Sequence, residues 1–225
     1  MNEKYFKILE LVRSKDDYDA EWVQHPHHVL DRAAATDKHI AVFTPKIGEF
    51  NDFTNKYHPH IYPFPVTHHQ HILVSDVKQA LSKLPFEDCF DEEIIKCGAC
   101  EGEAQVEYEF QYKKKTYTSY QDCPVCNGEG GFDKKSDKPN GEKQYPETHA
   151  VKIGNSIFMG KILLRIIEIC EILGVDNINL LSQTFPTKPT TFKVGEVEML
   201  CMPAVDHNSE LEIVEEIVLK PNHVQ

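Results

Sequence analysis

The alternation of apolar and polar residues divides this chain into short elements. Residues 3–13 set Phe6, Leu9, Leu11 and Val12 among Lys4, Lys7, Glu10 and Arg13, which predicts an amphipathic helix stopping at Ser14-Lys15-Asp16-Asp17. Residues 18–24 and 29–43 read as strand, the latter through Ala33-Ala34-Ala35-Thr36 and Ile40-Ala41-Val42-Phe43. Pro45, Gly48, Pro59, Pro63 and Pro65 mark 44–70 as a long loop with a short helix near 50–56. His71-Ile72-Leu73-Val74 predicts a strand, and Ser75 an N-cap for a helix over 76–84 that Pro85 stops. The grammar repeats later: a strand over 149–153, then a helix opening at Asn155 or Ser156 and running to Leu173 before Gly174. In that helix Lys161, Arg165, Glu168 and Glu171 share one narrow stripe, so the remaining surface should be buried against sheet. Residues 178–181 read as strand, and alternation about Gly195-Glu196 predicts a hairpin over 191–203. The segment 211–219 fits strand or short helix.

Between these halves the pattern changes. Val106-Glu107-Tyr108-Glu109-Phe110-Gln111-Tyr112 and Thr116-Tyr117-Thr118-Ser119-Tyr120 alternate with period two about Lys113-Lys114-Lys115, predicting a β-hairpin. Cys97 and Cys100 precede it, and Cys123 and Cys126 follow it, in a C-x2-C-x22-C-x2-C arrangement. Two residues between thiols let backbone amides point at the sulfurs, and two such turns supply the four ligands of one structural Zn2+ with no position left for water. Residues 133–147 lack aliphatic side chains and are expected to be a flexible linker. The chain therefore divides into an α+β body, 1–96 and 148–225, a zinc-binding hairpin insertion, 97–132, and that linker.

With 225 residues, 40% of them hydrophobic, the chain can bury a sizeable core, as one domain with an elaboration or as two small ones. A net charge of −12 argues against indiscriminate coating of nucleic acid, though it leaves room for a local basic face. Cys89, Cys170 and Cys201 lie scattered among apolar residues, so the seven cysteines fit a reducing compartment, and a cytoplasmic location is expected. The start of the chain has no apolar signal core, and the most apolar stretch, 157–173, is broken by charges, so no membrane association is expected. His25-Pro26-His27-His28 and His68-His69-Gln70-His71 invite a second metal site, with Asp19, Asp31 or Asp37 as carboxylates. Neighbouring histidines on a strand point to opposite faces, however, so at most alternate ones share a metal. No P-loop, dinucleotide fingerprint, nucleophile elbow or zinc-deaminase pattern is present, and no catalysis is expected.

Two resemblances follow from particular residues. Cys123-Pro-Val-Cys-Asn-Gly-Glu-Gly130 fits C-x-x-C-x-G-x-G, and Cys97-Gly-Ala-Cys-Glu-Gly fits it up to Gly102, with Ala104 where the second glycine would stand. These repeats resemble the cysteine-rich region of DnaJ-type chaperones, where two repeats share one zinc. The resemblance covers 97–131, and the chaperone's J-domain signature is absent. In the body, Arg32-Ala-Ala-Ala-Thr-Asp-Lys-His-Ile-Ala41 resembles the ATDGHRLA-like strand of bacterial sliding clamps and clamp-like phage proteins, with Lys38 and Ile40 replacing its glycine and arginine. Ile72 to Leu81 is similar to a clamp strand feeding a helix, and Phe192 to Pro203 to the closing G-x-x-x-x-L-M-P-M strand.

The clamp resemblance implies helix-plus-sheet units whose helices face duplex DNA and meet phosphates without reading bases. Lys78, Lys83, Lys161 and Arg165 are the residues placed for that role, although as ordinary amphipathic faces they would simply be solvated. Three helices are fewer than a ring needs, so encirclement would take several copies, a homo-oligomer. The expected function is a noncatalytic, clamp-like accessory protein of DNA replication whose partners are duplex DNA and replication proteins. The alternatives are a zinc-dependent protein-interaction module that does not encircle DNA, and a metalloenzyme built on the histidine clusters.

Overall fold

The computed structural model describes residues 2–53, 70–205 and 211–219. The chain forms two compact units: a body of Met1–Phe86 with Tyr145–Gln225, and an insert, Glu87–Gln144.

The body opens with α1 (Asn2–Val12) and a single helical turn, α2 (Glu21–Gln24). Next come strands β1 (His27–Val29), β2 (Arg32–Thr36), β3 (Ile40–Pro45) and β4 (Gln70–Leu73), then α3 (Val74–Leu81). After the insert, which holds β5 to β8, it resumes with β9 (His149–Ile153), β10 (Ser156–Met159) and α4 (Gly160–Leu173). Strands β11 (Asn177–Ser182), β12 (Thr190–Val194), β13 (Val197–Cys201) and β14 (Glu212–Ile217) complete it. Seven strands form one sheet in the order β1-β2-β3-β13-β12-β11-β4, antiparallel at every pairing. A second sheet, β10-β9-β14, is mixed, with β14 parallel to β9.

Period-two burial explains the layering. Ala33 and Ala35 of β2 and Ile40 and Val42 of β3 turn into the main core, while Ala34, Ala41 and Phe43 turn to the opposite face with Val29. Onto the first face come apolar stripes at helical spacing: Tyr5, Ile8, Leu9 and Val12 of α1, Val74, Val77, Ala80 and Leu81 of α3, and Ile162, Leu163, Ile166, Ile167, Ile169 and Cys170 of α4. The Tyr5 hydroxyl donates to a Glu196 carboxylate oxygen at 2.6 Å, which pins α1 to the β12–β13 turn.

The β2–β3 turn is built by its own side chains. Thr36 Oγ1 donates to the Ile40 carbonyl at 2.9 Å and accepts from Lys38 N–H at 3.0 Å. Asp37 Oδ1 accepts from the N–H groups of His39 and Ile40. Lys38 stands at φ 74°, a left-handed backbone, with its ammonium on Asp19.

The structure corrects five local expectations. Residues 18–24 are not strand: Tyr18 is fully exposed, and Glu21–Gln24 makes one turn that buries Val23, with Gln24 Nε2 donating to the Asp17 and Asp19 carbonyls. The helix expected near 50–56 is absent from its described residues, 50–53, and the rest of it lies outside the described residues. Helix α3 begins at Val74, so Ser75 does not cap it; the Val74 N–H instead donates to the Asp176 carbonyl. Residues 156–159 are strand β10, because Gly154-Asn155 forms a two-residue hairpin loop, Gly154 at φ 58°, that folds them back on β9. Helix α4 therefore starts at Gly160 and ends at left-handed Gly174.

The fifth concerns 133–147. In the insert, β5 (Glu87–Lys96) pairs antiparallel with β8 (Gly131–Gln144), and β6 (Gln105–Tyr112) with β7 (Lys115–Asp122). Most of the expected linker is strand β8, which needs no apolar face because its ladder sets Glu92 and Glu93 opposite Lys135 and Lys134, with Asp88 near Lys143.

Candidate metal centre

The two C-x-x-C turns sit between the ladders, at the start of β6 and the end of β7. Cys97, Cys100, Cys123 and Cys126 are all buried, and their sulfurs lie within 4.8 Å of one another. Cys97 Sγ is 3.9 Å from Cys123 Sγ, and Cys100 Sγ 3.7 Å from Cys126 Sγ. A tetrahedral ion bonded at about 2.3 Å to each sulfur sets its ligands about 3.8 Å apart, so both measured edges fit one such ion. None of the four forms a disulfide.

The backbone repeats with an offset of 26 residues, the separation of Cys97 from Cys123. Left-handed φ angles occur at Glu101, Gly102 and Ala104 in the first turn and at Asn127, Gly128 and Gly130 in the second. Glu103 N–H donates to the Cys100 carbonyl and Glu129 N–H to that of Cys126. The turns also hold each other: Cys97 N–H donates to the Gly130 carbonyl at 2.9 Å, and Cys123 N–H to the Ala104 carbonyl at 2.8 Å. Gly130 N–H points at Cys126 Sγ, 3.2 Å away, a donor that favours thiolate. A Cβ on Gly130 would lie 2.7 Å from the Gly102 carbonyl oxygen, so glycine is required there by space as well as by φ.

The N–H groups of Cys126 and Val125 lower the Cys123 thiol to about 7, whereas burial pushes Cys126 up to about 11. Four adjacent buried thiols cannot all ionise unaided, and a divalent cation supplies the missing countercharge. The donor set thus fits a metal ion. The other buried thiols differ: burial raises Cys170 to about 12 and raises Cys201 further, leaving both unreactive near neutral pH.

Among the described residues no second group of three or more ligands assembles. His28 is engaged at both ring nitrogens, with Nδ1 3.4 Å from the Arg32 carbonyl and Nε2 accepting from Phe50 N–H at 3.3 Å. The His28 ring and backbone thus brace residues 50–53 against β1. His27 is buried edge-on to Phe53, and burial lowers its pKa. His25 and His71 are exposed, and His68 and His69 lie outside the described residues. Of the carboxylates, Asp19 binds Lys38 and Asp37 holds its own turn.

The residues placed for phosphate contact lie on α3, just beyond it, and on α4. Lys78 meets Glu171 at 2.5 Å, Lys83 meets Glu215, and Lys161 meets Glu147 at 2.6 Å. Arg165 forms no ion pair among the described residues and lines a small hollow with Asp37, His39 and Lys161. No described helix is long and apolar enough to cross a membrane.

No protein-family model and no curated protein sequence matches the chain. Among solved structures it is similar to the DNA polymerase sliding clamp of Caulobacter crescentus, with 9% identity and a TM-score of 0.45 over 90% of this chain and 63% of that one. The Bacillus subtilis sliding clamp gives 11% identity, a TM-score of 0.45, and 91% and 62% coverage. The beta chain of Streptococcus pneumoniae DNA polymerase III gives 12%, 0.44, 91% and 62%. The chain thus spans less than two thirds of the length of these clamps.

Proposed function

We propose that this protein is a noncatalytic, clamp-like accessory factor of DNA replication whose insert is closed by one structural zinc ion. The four-sulfur centre carries the metal part of this reading. Its sulfur–sulfur edges of 3.7 and 3.9 Å match a single tetrahedral ion, and four protein ligands leave no open position for substrate or activated water. Zinc is favoured because an all-thiolate tetrahedron suits it and requires no redox chemistry. The paired C-x-x-C-x-G turns are then a zinc knuckle of the DnaJ type carrying a binding surface rather than a chaperone.

The clamp part rests on the body's own residues. Lys38 takes φ 74°, a conformation glycine adopts without strain, at the position where the ATDGHRLA-like strand has glycine, and this supports the reading. The other two similar segments, 72–81 and 192–203, occupy the β4–α3 junction and the β12–β13 hairpin. In this reading Lys78, Lys83, Lys161 and Arg165 exchange their present surroundings for DNA phosphates.

A second reading, a zinc-dependent protein-interaction module that does not encircle DNA, is favoured by the three lysine–carboxylate pairs that occupy those cations. One preparation separates the two. Native mass measurement gives metal and copies per assembly, and retention is compared on closed circular and linear duplex. One zinc per chain, an oligomer, and retention lost on linearisation support the clamp. A zinc-loaded monomer indifferent to both DNAs supports the alternative, and a chain purified without metal overturns both.

A further inference from the structure

We propose that the β6–β7 hairpin binds single-stranded nucleic acid, with bases stacking on its aromatic face and phosphates meeting the three lysines at its tip. The proposal rests on reading the insert as a binding surface and is independent of whether the body encircles duplex DNA.

The register sorts the hairpin into two unlike faces. Val106, Tyr108, Phe110 and Tyr112 share one face with Tyr117, which stands directly across from Phe110. The Phe110 and Tyr117 rings stack at 5.5 Å, 16° from parallel. Glu107 and Glu109 turn to the other face, along with Tyr120. The insert uses only Val106 to cover its metal centre, so the rings beyond it remain open, Phe110 at 52% and Tyr112 at 58% exposure. Tyr108, Phe110 and Tyr112 alternate with Glu107, Glu109 and Gln111 along β6, so the three rings project from one side of the hairpin.

The tip adds the complementary charge. Lys113, Lys114 and Lys115 stand together in a chain of net charge −12, and the Lys113 ammonium lies over the Tyr112 ring, 5.2 Å from its centre. Lys113 and Lys114 form the two-residue loop at φ 51° and 65°, a mirror-image turn in which Asn-Gly is the least strained pair. The chain accepts left-handed lysines where a cheaper turn would serve, which points to the ammonium groups as what the tip supplies. Rings for stacking beside cations for phosphate are the two parts a single strand requires, since duplex hides its base faces and an acidic peptide offers none.

The test is fluorescence anisotropy of a labelled twelve-residue oligothymidylate against the metal-loaded full-length chain. Saturable binding is expected, with log affinity falling against log salt at a slope near −2 for about three phosphate contacts. Phe110→Ala should weaken it roughly 5- to 150-fold. The double variant Lys113→Asn, Lys114→Gly relieves the turn yet should flatten the slope by about 1.4; a merely structural role for those lysines would leave slope and affinity unchanged. Absence of saturation, equal binding of duplex of the same length, equal competition by polyglutamate, or indifference to both variants overturns the proposal. Metal content and the Trp22 emission of the body are read in each sample, so wild-type chain that holds zinc but ignores the oligonucleotide refutes this inference alone.

Discussion

The body and the insert are ordered by different physics. The body buries a continuous cluster drawn from three helices and both sheets. In the insert, by contrast, the described buried cluster is the four cysteines with Val106 packed against them, while Ile94, Phe110, Tyr112 and Tyr120 are exposed. Apolar burial at about 25 cal/mol per Å² can sustain the first unit but has little to act on in the second. A two-stranded ladder is marginal alone, so the buried four-cysteine cluster takes the place of a core. A chain can thus carry a surface rich in exposed aromatics without asking the same residues to hold it together.

The sharpest break in this contrast is metal removal. Structural zinc contributes apparent binding energies on the order of 10 kcal/mol in small sites, so chelation or Cys126→Ser should expose Glu87–Gln144 to protease first. The emission of Trp22, the single tryptophan, should hold through that loss because it lies in the body. Simultaneous melting of both units would erase the distinction. The converse substitution is Phe158→Ala: this ring is fully buried against Phe192, and its loss should cost the body about 3–5 kcal/mol by denaturant titration. Chelator competition on the variant at low denaturant should still find the wild-type metal affinity.

Smaller effects sharpen the picture within each unit. At equivalent turn positions, Gly130→Ala should weaken the metal centre by about 1–2 kcal/mol or more, because it meets both the φ of 77° and the Gly102 carbonyl. Ala104→Gly, at φ 66°, should strengthen it by about 0.5–1 kcal/mol. Like signs for the two would contradict the 26-residue repeat. In the body, burial lowers His27 from its usual 6.5, so the unfolded chain takes up that proton first. This share of stability is complete above about pH 6.5 and is lost as pH falls below it. His27→Gln should flatten that part of the pH–stability curve.

What could be read from residues was whatever local pattern records. Gly195-Glu196 announced the β12–β13 hairpin, and the doubled C-x-x-C announced the sulfur cluster, down to Ala104 standing where Gly130 stands in its repeat. Strand β8 was hidden because cross-strand charge, not apolar alternation, matches it to β5. Strand β10 was hidden because Ile157, Phe158 and Met159 run without a break into an apolar helix, and only the Gly154-Asn155 turn separates them. The carboxylates on Lys78, Lys83 and Lys161 come from elements distant in the chain or from a loop, and no local pattern carries that pairing.

Glu87 and Gln144, the first and last residues of the insert, are partners in one ladder. Immediately outside them Phe86 and Tyr145 stack ring on ring at 4.5 Å, entirely within the body. Entry and exit of the fifty-eight intervening residues are therefore neighbours, and the host scaffold supplies its own clasp at that point. Such an attachment makes the insert a cassette: a short turn could bridge 86 to 145, or another hairpin could be spliced there, without re-threading the rest of the chain.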